Sequence, residues 1–139
     1  MQKNRLKKRR DPRSNRVSLL TTTSNSDADL FIKVFYAVKE QTWRDWEWII
    51  FDDSTNDLMW ELLTELEKED MRIKIFTYER ESIDERYIIS PSRSNNISGF
   101  TKALCKGQAT GKFLMELKDN KILSEDALDL IVKGHKFEV

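Results

Sequence analysis

Trp48-Ile49-Ile50-Phe51 is an unbroken apolar run that stops at two adjacent acids, Asp52-Asp53. Strands buried on both faces read this way, and they occur in parallel sheets covered by helices. The flanking sequence supplies matching elements. Val17-Ser18-Leu19-Leu20 reads as a strand that breaks into a polar loop over residues 21–26. Leu30, Val34, Ala37 and Val38 then fall at helical spacing, with Ser26 and Asp29 predicting the cap. Met59, Leu62, Leu63 and Leu66 mark the apolar face of a second helix. Residues 72–77 alternate charged and apolar side chains around Ile73 and Ile75, which predicts a half-exposed strand at a sheet edge. Residues 79–96 are polar, contain Pro91 and read as a long loop. Ile97, Phe100 and Leu104 predict a third helix, and Phe113-Leu114-Met115-Glu116-Leu117 a fourth strand. Ser124, followed by Glu125 and Asp126, reads as the start of a last helix with Ala127, Leu128, Ile131 and Val132 on its apolar face.

Strands alternating with helices predict an α/β, Rossmann-like, doubly wound and mostly parallel sheet with helices on both faces. Right-handed crossovers restrict the topology strongly, and a strand order of 3-2-1-4 would put the third strand at the edge, as its pattern suggests, and the switch point between the first and fourth. Ligands of such sheets bind beyond the carboxyl ends of the strands at that point. The loops at residues 22–25 and 118–121 would flank the crevice, with Asp52-Asp53 beside it.

The 139 residues suit one domain with its own core. The formal net charge of zero hides an asymmetry. Of 24 basic and 24 acidic residues, eight and one fall within residues 1–16, leaving 16 and 23 for the remainder. Residues 1–16 therefore read as a basic, disordered tail, and residues 17–139 as an acidic domain. The domain is a poor surface for tracking a nucleic-acid backbone, which needs positive charge. The tail could contact an anionic surface. The single cysteine, Cys105, allows no internal disulfide and fits a reducing, cytoplasmic setting. There is no apolar run long enough for a membrane-spanning helix (about 18 residues) and no apolar stretch behind the basic start to form a signal peptide.

Two acids ending an apolar strand support two readings. They accept hydrogen bonds from a ligand at the mouth of a cleft, or one of them caps the second helix together with Ser54 or Thr55. On spacing alone the two readings are equal. The wider pattern bears on the choice. The segment from Val17 through Asn25 is similar to the opening strand of family-2 glycosyltransferases, often written VSIIIPTYN. Residues 41–57, QTWRDWEWIIFDDSTND, resemble that family's QTYxxFEIIIVDDGSTD segment. Arg72-Ile73-Lys74-Ile75 resembles its RIKV strand, and Ala109-Thr110-Gly111-Lys112-Phe113-Leu114 its ATGEYI segment. The agreement keeps order and spacing over residues 17–134.

The resemblance implies a GT-A-like fold that binds a nucleotide-diphosphate sugar, such as a UDP-sugar, and transfers the sugar to an acceptor hydroxyl. It implies that Thr23 and Asn25 lie against the nucleoside. Asp53, with Asp52 as neighbour, would accept from uracil or ribose, and Lys102 would sit near the nucleotide. It also implies an Mn²⁺ or Mg²⁺ ion held by an aspartate-rich motif after the fourth strand.

The chain departs from the family there. Lys118-Asp119-Asn120-Lys121 retains only Asp119 as an acid, and that one is a position off the family's spacing. Lys118 or Lys121 is then a candidate electrostatic substitute for the metal. The loop also lacks the glycine expected after Asp53, and the acceptor-binding part with its catalytic base is not recognisable before Val139. A catalytically inactive relic or binding module is therefore the alternative function. A response-regulator-like reading fails because no aspartate follows the third strand at Phe76-Thr77-Tyr78-Glu79. His135, the sole histidine, permits no histidine metal cluster or triad. Cys105 reads as a small buried residue. Trp43, Trp46 and Trp48 suggest sugar stacking by composition, with Trp48 at least expected in the core.

Overall fold

The computed structural model describes residues 15–93 and 98–134. Most of the basic tail, Ile97 and His135 lie outside them, as does the side chain of Phe100. The described chain forms β1 (Val17–Thr23), α1 (Ala28–Lys39), β2 (Trp46–Asp52), α2 (Leu58–Glu69), β3 (Ile73–Tyr78), a single 3-10 turn (Glu85–Tyr87), β4 (Ile88–Ser90), α3 (Ser98–Gly107), β5 (Phe113–Glu116) and α4 (Ala127–Lys133). The strands build one sheet in the order β4-β3-β2-β1-β5, with every pairing parallel.

Each strand alternates its side chains between two faces, so the sheet carries two cores. Val17, Leu19, Trp46, Trp48, Ile50, Ile73 and Ile75 face the larger one, with Phe31, Val34 and Val38 of α1, Met59 and Leu63 of α2, and Leu128 and Val132 of α4. Leu20, Ile49 and Phe51 face the smaller one, with Cys105 and Leu104 of α3. The apolar run of β2 is thus shared between both faces, which is why it does not alternate. Trp46 and Trp48 are fully buried and Trp43 packs against the larger core, so none of the three is placed for sugar stacking.

Three sequence expectations change. The stretch after β3 is not all loop: the 3-10 turn and β4 lie within it, and β4 takes the sheet edge expected for β3. Because β4 pairs only at Thr77 and Tyr78, most of β3 still has an open outer side, and its alternating pattern reflects that. The cap of α1 is Asp27, whose carboxylate accepts from Leu30 N–H at 3.1 Å, and not Ser26. Neither Asp52 nor Asp53 caps α2. Its cap residue is Asp57, and Asn56 Oδ1 accepts from Leu58 N–H at 2.9 Å.

One distant contact fixes α4. The buried amide of Gln41, just after α1, accepts from Leu128 N–H at 2.9 Å and donates to the Ser124 carbonyl at 2.6 Å. It satisfies an amide at the helix start that no local side chain reaches.

Candidate functional site: a polar cleft at the switch point of the sheet

The chain crosses from one side of the sheet to the other between β1 and β5. Beyond the carboxyl ends of those two strands lies a cleft of about 200 Å³. Its walls come from the end of β1 (Leu20, Thr21, Thr22, Ser24), from Asp53 after β2, from α3 (Thr101, Lys102, Cys105) and from residues 116–120 after β5. Ligand sites of open α/β sheets occupy this position.

The threonines of β1 hold the frame. Thr21 Oγ1 donates to the Leu117 carbonyl at 2.6 Å and accepts from Trp48 Nε1 at 2.8 Å, tying β1, β2 and the β5 exit together. Thr22 Oγ1 meets Thr101 Oγ1 of α3 at 3.3 Å. Thr23 Oγ1 turns inward and donates to Asp52 Oδ1 at 2.8 Å.

The acidic pair divides. Asp52 is fully buried and outside the cleft lining. Its Oδ1 accepts from Thr23 Oγ1, from Ser54 N–H at 3.2 Å and from Ser54 Oγ at 2.6 Å. Its Oδ2 accepts from Arg80 Nη2 at 3.1 Å. That carboxylate is consumed by the protein, so of the two acids only Asp53 is left lining the cleft. Ser54 fills the position where a glycine was expected and closes the turn with its hydroxyl. The backbone freedom sits instead at Asn25, whose φ of 53° places it in the left-handed region that asparagine tolerates. Asn25 is not a cleft residue either. Its N–H donates to Ser54 Oγ at 2.7 Å, and its Oδ1 accepts from Thr55 N–H and Asn56 Nδ2, so it bridges the loops after β1 and β2.

Asp53 lines the cleft, with Arg93 Nε at 3.5 Å from its Oδ1 and 3.2 Å from its carbonyl. Lys102 also lines it, and its ammonium lies 3.2 Å from Glu116 Oε1 on the facing wall. Asp119 accepts a short hydrogen bond from Ser26 Oγ, which joins the loops after β1 and β5. Lys118 lines the cleft and is exposed, whereas Lys121 is absent from the lining and donates its backbone N–H to the Lys118 carbonyl at 3.2 Å. Cys105 forms part of the floor. Burial pushes its thiol up to about 12, so it is not a thiolate nucleophile.

Of the residues anticipated from sequence, Asp53, Lys102, Lys118 and Asp119 therefore share the cleft, while Thr23, Asn25, Asp52 and Lys121 do not line it. The sequence motifs do not single out Glu116, Thr101, Arg80 or Arg93, which the fold brings to the cleft or to its two aspartates. Glu116 carried one readable signal: it is a charged residue at the carboxyl end of a predicted strand. The arginines sit in a polar stretch with no periodicity to single them out.

The donor set does not fit a divalent metal. Among the described residues no group of three or more His, Cys, Asp or Glu side chains comes together. The cleft carboxylates face Arg93, Lys102 and the Ser26 hydroxyl instead. Nor is any helix among the described residues long and apolar enough to cross a membrane.

Residues 18–82 match the family profile described as Glycosyl transferase family 2. No curated protein matches the chain. Among solved structures, S. aureus TarS 1-349 shares the fold with a TM-score of 0.62 at 17% identity, over 86% of this chain and 33% of that one. The same protein in complex with UDP gives 0.61 at 16% identity, over 86% and 33%. Its complex with UDP-GlcNAc gives 0.60 at 17% identity, over 86% and 32%. The chain thus spans about a third of the length of these structures. At such identities the likeness establishes the fold.

Proposed function

We propose that this chain, which carries a family-2 glycosyltransferase-type domain of GT-A-like fold, binds a nucleotide-diphosphate sugar, most simply a UDP-sugar, in the cleft between β1 and β5. One observation carries the reading. The cleft stands at the switch point of the sheet, with Asp53 on one side and Lys102 and Lys118 on the others. A fixed carboxylate accepts from the N3–H of uracil or from a ribose hydroxyl, and the lysines meet the diphosphate. The fold shared with a protein solved with UDP and with UDP-GlcNAc supports the same reading.

Thr23 and Asn25 act at one remove: Thr23 orients Asp52, and Asn25 holds the loop that follows Asp53. Asp52 in turn anchors the turn through Ser54 and Arg80. Transfer of the sugar to an acceptor hydroxyl would require a base and an acceptor surface. The cleft carboxylates already face partners, which favours a second reading, a nucleotide-sugar-binding module without transfer.

Calorimetric titration with UDP-GlcNAc tests the first step, and release of free UDP during long incubation tests the second. Saturable heat whose affinity falls about tenfold in Asp53→Ala supports binding at this cleft. Absence of heat at millimolar ligand overturns it. Release of UDP that depends on Asp53 overturns the non-transferring reading.

A further inference from the structure

A GT-A-like cleft with no fitting metal ligands poses a charge problem, because a diphosphate brings at least two negative charges into a site that already holds Asp53, Glu116 and Asp119. Two of these acids are balanced. Glu116 is answered by Lys102 at 3.2 Å, and Asp53 by Arg93 at 3.5 Å. Asp119 is engaged differently, by the neutral hydroxyl of Ser26. A hard divalent cation needs several oxygens whose charge is not already answered, and three such ligands do not come together among the described residues. Lys118 differs from the other cations of the cleft. It is exposed, it lines the cleft, and it makes no ion pair among the described residues. An ammonium there repels a metal ion and attracts phosphate oxygens.

We infer that the cleft takes a nucleoside diphosphate without a divalent cation, with Lys118 supplying the positive charge that a metal would otherwise bring. The inference rests on the nucleotide reading above and goes beyond it by naming how the diphosphate is neutralised. Lys118 is a binding residue in this scheme. Lys121, with its side chain outside the cleft lining, does not share the role.

The test is calorimetric titration of the full chain with uridine and with UDP, each in EDTA and in Mn²⁺. UDP is expected to bind equally in both conditions, within about twofold. Lys118→Ala is expected to weaken UDP about five- to tenfold more than it weakens uridine, as the loss of one lysine–phosphate contact would do. Lys118→Arg keeps the charge and should retain UDP affinity within about threefold. UDP binding that requires Mn²⁺ overturns the inference while leaving the nucleotide reading intact. So does a Lys118→Ala protein that binds UDP as tightly as the parent, or one that loses uridine and UDP alike. If neither uridine nor UDP binds in either condition, the nucleotide reading itself falls and the inference falls with it.

Discussion

Strand β2 carries buried acids at both of its ends, and the two ends differ in what those acids do. At the base, Glu47 receives Ser18 Oγ at 2.6 Å, Thr110 N–H at 2.6 Å, Thr110 Oγ1 at 2.9 Å and Lys74 Nζ at 2.9 Å. Burial alone would raise its pKa. The hydrogen bonds from Ser18, Thr110 and Lys74 outweigh burial and lower it to about 2. Gly111 completes this knot by donating its N–H to Ser18 Oγ at 2.8 Å. At the other end Asp52 is closed in the same way by Thr23, Ser54 and Arg80, but its neighbour Asp53 faces the cleft. The carboxylates of Glu47 and Asp52 are saturated by their own chain, whereas Asp53 lines the cleft. The two aspartates part because Asp52 is the last residue of β2, still paired to β1 and β3, and Asp53 is the first residue beyond the strand.

Breaking the closed clusters should therefore cost stability, and altering the cleft should cost affinity. The largest effect is expected for Arg80→Ala. It leaves the fully buried Asp52 without its cation, and urea unfolding should register a loss of about 4 kcal/mol. Gly111→Ala comes next. A Cβ there would lie 2.5 Å from Ser18 Oγ and 2.7 Å from the Arg16 carbonyl, so β1 and the entry to β5 must separate, at about 3 kcal/mol by the same measurement.

Glu47→Gln should cost about 2 kcal/mol at neutral pH. Its pKa is depressed on folding, so the contribution of Glu47 is complete above the ordinary value of 4.5 and is lost as pH falls toward about 2. Parent and variant stabilities measured across that window should converge, and a difference independent of pH would remove the ionic account. Asp53→Ala should leave stability within about 1 kcal/mol while weakening UDP about tenfold, or about 1.4 kcal/mol. A large stability loss there would erase the contrast between the two ends of β2. The smallest effect concerns Cys105, whose thiol should react with a disulfide reagent only as fast as the chain opens, with no acceleration between pH 7 and 9.

Much of this was legible in the residues. The Trp48-Ile49-Ile50-Phe51 run identifies a strand covered on both sides, because only such a strand spends consecutive apolar residues. The apolar spacing of α1 and α2 follows from helical geometry in the same local way. The β4 segment was not legible, since three residues in a polar stretch have no period to detect and pair only because β3 is beside them. Nor were Arg80 and Arg93, whose partners Asp52 and Asp53 lie 28 and 40 residues away.

The alternation of elements, the parallel α/β class and the placing of acids and lysines near one end of the sheet follow from the residues alone, because period and turn chemistry are local. Which of those groups line the cleft depends on the assembled fold. Asp52 and Asp53 are adjacent and chemically identical and both are buried, yet one is sealed behind Thr23, Ser54 and Arg80 and the other lines the cleft. Lys118 and Lys121 are separated by one tight turn, and that turn leaves only Lys118 in the wall. Such choices depend on what distant segments bring against each side chain, and no local pattern encodes them.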